Sequence, residues 1–246
     1  MFTLRTLPLL AALGLAMPGI AGEFGVTPIR LDFDRATRSA SVIVINDSTS
    51  EAQSFNVKLY KWTQNAEGID DYQESNDLIY FPRQVTIPPK SEQVVRVGLK
   101  GALPAVEVAY RLFVEELAVA PKAESTTTPT VNYRLRFGVP IFLAPLAAAL
   151  SGKLEIAAMN KSTLALSVAN TGNQHFRIES LRLRSGDKTL AENPGFYVLA
   201  GARRAVTIVL PASVCERAKS GETMELIGRS EKLEFAEKIQ GPIDCK

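Results

Sequence analysis

The chain has 246 residues, with 28 lysines and arginines against 26 aspartates and glutamates, and its formal net charge is +2 at pH 7. This near-neutral charge argues against a protein built to neutralise nucleic-acid phosphates. The one histidine, His175, follows a turn, where we expect it to be solvated, and cannot by itself make a multi-histidine metal site. No Gly-x-Ser-x-Gly motif or phosphate-binding glycine loop is present. We therefore expect no catalytic residues, no metal and no cofactor.

Residues 1–22 have the features of a secretory signal peptide. Arg5 precedes an apolar run over residues 7–17, and Gly19 and Ala21 suit the −3 and −1 positions of a cleavage site. No later run approaches the roughly 20 apolar residues that a membrane-spanning helix needs. The sequence therefore predicts an exported chain that does not insert into the membrane.

The two cysteines, Cys215 and Cys245, both lie near the end of the chain. In an oxidising compartment they can form a disulfide, which would close a loop of about 30 residues and contribute about 3 kcal/mol. Two buried free thiols are the alternative.

Residues 25–143 consist of short alternating or β-branched runs separated by turn residues, while residues 65–76 are polar and acidic and predict a loop. About seven strands at this spacing are typical of a β-sandwich. The predicted strands lie within residues 26–33, 41–45, 54–62, 80–88, 91–99, 109–117 and 130–143.

The last of these runs, TVNYRLRFGVPIFL, alternates apolar and polar residues. A period of two residues indicates a β-strand with one apolar and one polar face. The segment before it, residues 121–129, is polar and bounded by prolines, which predicts a mobile loop. We interpret this loop and the strand after it as a strand that the chain donates to another protein.

Residues 144–152 shift to small residues with proline and glycine at the ends, which indicates a linker. The strand pattern then restarts and predicts a second all-β domain. The sequence thus predicts a signal peptide over residues 1–22, an N-terminal immunoglobulin-like domain over 23–143, a linker over 144–152 and a C-terminal immunoglobulin-like domain over 153–246. The predicted fold class is all-β, with two immunoglobulin-like sandwiches in series.

Five segments, taken in chain order, carry a resemblance to known proteins: VTPIRLDFD, SASVIVIND, VTIPPKSEQVVRV, AYRLFVEEL and YRLRFGVPIF. Together they resemble the PapD-like family of periplasmic pilus chaperones, which work in the chaperone–usher pathway. The resemblance covers the whole chain after the signal peptide. The basic residue followed by VPIF is more similar to the archaic, spore-coat-protein-U-associated branch than to the P-pilus branch.

This resemblance implies a mechanism. In the family, a pilus subunit lacks the last strand of its own sandwich, and the chaperone inserts its G strand as a substitute. The complex then docks on an outer-membrane usher. The expected location is the periplasm, and the expected partners are pilus or fimbrial subunits and the usher.

The resemblance also implies an anchor for the subunit's C-terminal carboxylate, made of two basic residues in the cleft between the domains. Arg30, within IRLDFD, matches the first of them, and Arg136 is the best match for the second. The spacing from Arg136 to the following proline is one residue shorter than in the P-pilus pattern, so Arg134 is an alternative. An arginine suits this role because its planar guanidinium can bind a carboxylate through two parallel hydrogen bonds.

The donor-strand contacts expected from local alternation are Val131, Tyr133 and Leu135. An ungapped match anchored on Arg136 would instead place the donated segment at residues 127–131. The register decides between them, because a slip of one residue exchanges the two faces of a strand.

A different class of function is a two-domain immunoglobulin-like surface-fibre subunit or adhesin. A chaperone should form a one-to-one complex with its partner, whereas a fibre subunit should polymerise. An exported β-sandwich hydrolase is a remote third reading. An exposed apolar edge also leaves open whether the free chain associates with itself.

Overall fold

The computed structural model describes residues 24–117 and 134–239. Within these ranges the chain is built almost entirely of strands and forms two β-sandwiches in series, so the predicted all-β architecture is confirmed. The predicted signal peptide, residues 1–22, lies outside the described residues.

The first sandwich is formed by two sheets that enclose one apolar core. Its strands are β1 (Phe24–Thr27), β2 (Leu31–Phe33), β3 (Ser39–Asn46), β4 (Gln53–Gln64), β5 (Asp70–Glu74), β6 (Leu78–Phe81), β7 (Gln84–Ile87), β8 (Ser91–Leu99), β9 (Val108–Glu116) and β10 (Arg136–Leu143). One sheet has the order β1-β3-β8-β6, and the other has the order β2-β10-β9-β4-β5, with β7 also pairing with β4.

The alternation of the sequence is the cause of this packing. In β4, for example, Phe55, Val57 and Leu59 are buried, while the residues between them face outward.

Strand β5 was predicted as a loop, and that prediction is wrong. It pairs only with β4 at the rim of the sheet and buries little surface, so its residues carry no apolar alternation.

The second sandwich has a three-stranded and a four-stranded sheet, in the orders β11-β12-β15 and β14-β13-β16-β17, around its own core. Its elements are β11 (Gly152–Met159), β12 (Thr163–Asn170), β13 (Phe176–Ser185), β14 (Lys188–Val198), β15 (Arg203–Val209), α1 (Ser213–Lys219), β16 (Met224–Ser230) and β17 (Glu234–Ile239).

The sequence did not predict helix α1, because two turns of helix are too short to show an amphipathic period. The last strand of the first sandwich ends at Leu143 and the first strand of the second begins at Gly152. The predicted linker, residues 144–152, occupies this interval and ends on Gly152, the first residue of β11. The exact domain bounds stay a prediction. Among the described residues, no helix is long and apolar enough to cross a membrane.

Candidate functional site

A cleft of about 590 Å³ lies between the two sandwiches. Residues from both walls line it, among them Arg30, Arg111 and Pro140 from the first sandwich and His175 and Tyr197 from the second. The second wall also carries mixed charge, with Arg177 and Lys232 beside Glu179 and Glu231.

The pairing of β10 explains why two arginines meet in this cleft. Strand β10 lies between β2 and β9, and Pro140 is directly opposite Arg111 on β9. On the other side, Ile141 pairs with Leu31 in parallel, so Arg30 lies beside Pro140. Arg30 and Arg111 therefore flank Pro140 from its two neighbouring strands.

Arg30 directly precedes β2 and is held by that strand. Its Nε donates to both carboxylate oxygens of Asp32, at 3.0 and 2.8 Å, and its guanidinium carbon lies 5.4 Å from the centre of the Phe142 ring. Partial burial lowers the pKa of Arg30, but the hydrogen bond and charge of Asp32 outweigh this effect, so the pKa stays above its ordinary value. The arginine is a permanent cation whose terminal nitrogens have no hydrogen-bond partner among the described residues.

Arg111 is held by aromatic residues. Its guanidinium carbon lies 4.1 Å from the centre of the Trp62 ring, and its Nη1 donates to the hydroxyl of Tyr72 at 2.9 Å. Burial raises the pKa of the Tyr72 hydroxyl, which keeps that group neutral. The Nε of Arg111 is buried without a hydrogen-bond partner in the part of the chain that the structure describes. An unsatisfied buried donor of a cation is costly. Arg111 also lines the cleft, so its positive charge is available to an anionic group there.

Gly138 makes the position of Arg111 possible. A Cβ atom at residue 138 would lie 2.7 Å from Cε1 of Phe113 and 2.9 Å from Cδ of Arg111. Because no side chain projects from Gly138, the stem of Arg111 can lie across β10. The GVP segment therefore has a steric role that its composition alone does not reveal.

The structure places the predicted second anchor, Arg136, away from the cleft lining. Its Nε is 2.8 Å from Oε1 of Glu115, and its guanidinium carbon lies 3.5 Å from the centre of the Phe113 ring. Arg136 is four residues before Pro140, which is roughly 13 Å along a strand. The alternative residue, Arg134, is exposed and precedes β10. Arg30 is thus brought together with Arg111, and a carboxylate-binding role for Arg136 stays a prediction.

Part of β10 has a free edge. The strand pairs with β9 along its whole length, but with β2 only from Ile141 to Leu143. Among the described residues, no strand pairs with the other edge of residues 136–140. A proline is tolerated at such an edge, where the missing N–H is not needed for the sheet.

Alternate residues from Leu135 to Ile141 lie on one face of the chain, and this face changes from exposed to buried toward the end of β10. Val139 and Ile141 are buried at 2% and 0% exposure, whereas Leu135 and Phe137, on the same parity, are 37% and 40% exposed. The predicted contacts Val131 and Tyr133 lie outside the described residues. Phe137 is a further exposed apolar residue on this face, and it was not among the predicted donor contacts although it belongs to the same alternation.

Two other sequence predictions can be located. His175 was predicted to be solvated, and that prediction is wrong, because it is buried at 6% exposure in the joint between the sandwiches.

Cys215 is buried in α1. Its predicted disulfide partner, Cys245, lies outside the described residues, so the pairing stays a prediction. No group of three or more metal-ligating side chains occurs within residues 24–117 and 134–239.

Known structures share this architecture. The chain is similar to the chaperone–tip adhesion subunit pre-assembly complex CsuC–CsuE of archaic Csu pili from Acinetobacter baumannii, with a TM-score of 0.60 and 18% identity over 89% of this chain and 98% of that one. It is also similar to the Escherichia coli chaperone DraB, with a TM-score of 0.55 and 13% identity over 90% and 96% of the two chains. The SafA pilin–SafB chaperone complex of Salmonella enterica gives a TM-score of 0.55 and 14% identity over 88% and 96%. At these identities the likeness shows the fold.

Family membership comes from the sequence. No curated protein matches the chain. The sequence model of the pili and flagellar-assembly chaperone family, PapD N-terminal domain, matches residues 23–149, which is more than half of the chain. The chain therefore belongs to the PapD-like family of pilus chaperones.

Proposed function

We propose that this chaperone acts in the periplasm, where it lends the free edge of β10 to a pilus or fimbrial subunit, and that it delivers the subunit to an outer-membrane usher. One observation carries the proposal. The unpaired edge at residues 136–140, with Leu135 and Phe137 exposed, leads directly into a cleft that contains two arginines.

The positions of the two arginines favour a carboxylate as the group held in the cleft. Arg30 and Arg111 flank Pro140, and each has guanidinium nitrogens without a partner among the described residues. Hydrogen bonds to charged groups contribute about 1.5–3 kcal/mol where water is excluded. The side chain of Arg30 is 37% exposed, so its share is smaller than that range suggests. We propose Arg30 and Arg111 as the anchor and keep Arg136 as the alternative second residue.

The chain direction of the partner follows from this anchor. Strand β10 runs from Arg136 toward the cleft. A partner strand whose carboxylate lies beside Pro140 also runs toward the cleft, so it pairs with β10 in parallel. Alternate side chains of the partner strand would contact the face that carries Leu135 and Phe137. Val131 and Tyr133 would extend that apolar face.

The proposal is tested by co-expressing the chain with the pilus subunit encoded beside its gene and purifying the periplasmic fraction. Size-exclusion chromatography with light scattering should show a stable one-to-one complex. If the chain instead polymerises alone, it is a fibre subunit and the chaperone function is wrong. If the two proteins do not associate and the subunit is equally soluble without the chain, the proposal also fails.

A further inference from the structure

We propose that His175, a residue of the second sandwich, is a positioning residue for Arg30 and acts through the ring of Phe142. This inference rests on the proposed carboxylate anchor. The imidazole of His175 lies flat against the Phe142 ring, with centroids 3.5 Å apart and planes inclined by 12°. The same Phe142 ring supports the guanidinium of Arg30 at 5.4 Å.

His175 is fixed by a buried carboxylate from the first sandwich. Oε1 of Glu107 lies 2.7 Å from Nδ1 of His175 and accepts the backbone N–H of the same residue at 2.9 Å. The His175 and Glu107 side chains are only 5% and 1% exposed. Two hydrogen bonds to one oxygen set both the backbone and the ring of His175, so the ring has little freedom to move away from Phe142.

The docking of the two sandwiches has other support. The Nδ2 of Asn173 donates to the carbonyl of Ala105 at 3.3 Å, and the backbone carbonyl of Asn173 accepts the backbone N–H of Glu107 at 2.9 Å. Farther along the joint, Gln64 donates to the carbonyl of Tyr197 at 3.0 Å and accepts the backbone N–H of Leu199 at 3.0 Å. The loss of the His175 ring should therefore leave the sandwiches docked and act mainly on Phe142.

The ring of Phe142 is 1% exposed, and the imidazole covers it closely. Its other aromatic neighbours, Trp62 and Tyr197, have ring centroids 6.0 and 5.6 Å away. Without the imidazole, the ring loses its nearest stacked partner and can change orientation. The guanidinium of Arg30 would then lose the fixed aromatic surface beside it and keep only its hydrogen bonds to Asp32. In this way the second sandwich contributes to an anchor whose charges come from the first.

The test is a double-mutant cycle on the full-length chain. The probe, called here the C-terminal peptide, is a synthetic peptide with the sequence of the C-terminal strand of the pilus subunit encoded beside this gene. It ends in a free carboxylate. We expect His175→Gln to weaken its binding several-fold and Arg30→Ala about tenfold. The double variant should bind no more weakly than Arg30→Ala alone, because His175 acts through Arg30. His175→Phe keeps an aromatic ring on Phe142 and should recover most of the affinity.

If the two losses multiply, or if His175→Gln binds as tightly as the unmodified chain, the positioning role is wrong. If His175→Gln fails to fold, Phe142→Leu replaces it in the same cycle, with the same expectation and the same contradicting results. Failure of the anchor itself has a separate signature, since the unmodified chain would then bind the C-terminal peptide no more tightly than the amidated form of that peptide.

Discussion

The guanidinium of Arg111 stacks on the indole of Trp62, with its central carbon 4.1 Å from the ring centre. Trp62 is the only tryptophan of the chain and is 2% exposed in the joint between the sandwiches. Its fluorescence is therefore a built-in reporter of what happens to Arg111.

A carboxylate that binds Arg111 should change the fluorescence of Trp62, because it alters the charge and position of the cation on the indole face. We expect titration with the C-terminal peptide to give a saturable change in emission. The amidated peptide and the Arg111→Ala variant are the controls, and both should give little change. An equal change with the amidated peptide would show that no carboxylate reaches Arg111.

The exposed face of the donated strand gives a second prediction. Leu135→Asp and Phe137→Asp should each reduce recovery of the chaperone–subunit complex at least about tenfold, because a carboxylate in an apolar groove is buried without a partner. Val209→Asp is a matched control, since Val209 is an exposed strand residue, at 77%, in the other sandwich. Recovery is measured by affinity purification after co-expression. Full recovery of both aspartate variants would mean that this face of β10 is not the donated one.

A third prediction concerns acid stability of the second sandwich. The hydrogen bond from the Ser185 hydroxyl, together with that from Arg217, holds the pKa of Glu222 below its ordinary value of 4.5. The native state therefore gains stability from ionised Glu222 at neutral pH, and this gain is lost as the pH falls from about 4.5 through the lowered pKa.

Thermal unfolding at a series of pH values tests the Glu222 linkage. We expect Glu222→Gln to lower the melting temperature at pH 7 and to approach the unmodified chain below pH 4. Glu234→Gln is the control, because Glu234 and its partner Arg229 are 61% and 65% exposed at 3.7 Å, and such pairs contribute little. A Glu222→Gln effect that is the same at every pH would contradict the linkage.

The sequence predicted the strands that have one face on a core. Strands β4, β9 and β10 were found because burial imposes apolar residues at alternate positions. Strand β3 was found from its β-branched apolar run. Strand β5 and helix α1 were missed because a polar rim strand and a two-turn helix leave no such periodic record.

The cleft could be predicted only in part. Arg30 was identified by its place in a family motif, and it lines the cleft. Arg111 was not identified, because its position depends on which residue of β10 lies opposite, and register is set by tertiary pairing. His175 was misread because its burial comes from contact between two sandwiches, which local polarity does not reveal.

The central claim is that Arg30 and Arg111 hold the partner's C-terminal carboxylate at the end of the donated edge. The most direct measurement is the dissociation constant of the C-terminal peptide for the Arg30→Ala, Arg111→Ala and Arg136→Ala variants of the full-length chain. We predict losses of about tenfold or more for Arg30→Ala and Arg111→Ala, which corresponds to about 1.4 kcal/mol or more for each. Arg136→Ala should stay within about twofold of the unmodified chain, because Arg136 is paired with Glu115 outside the cleft lining. A tenfold loss for Arg136→Ala with unchanged binding by Arg111→Ala would contradict the claim.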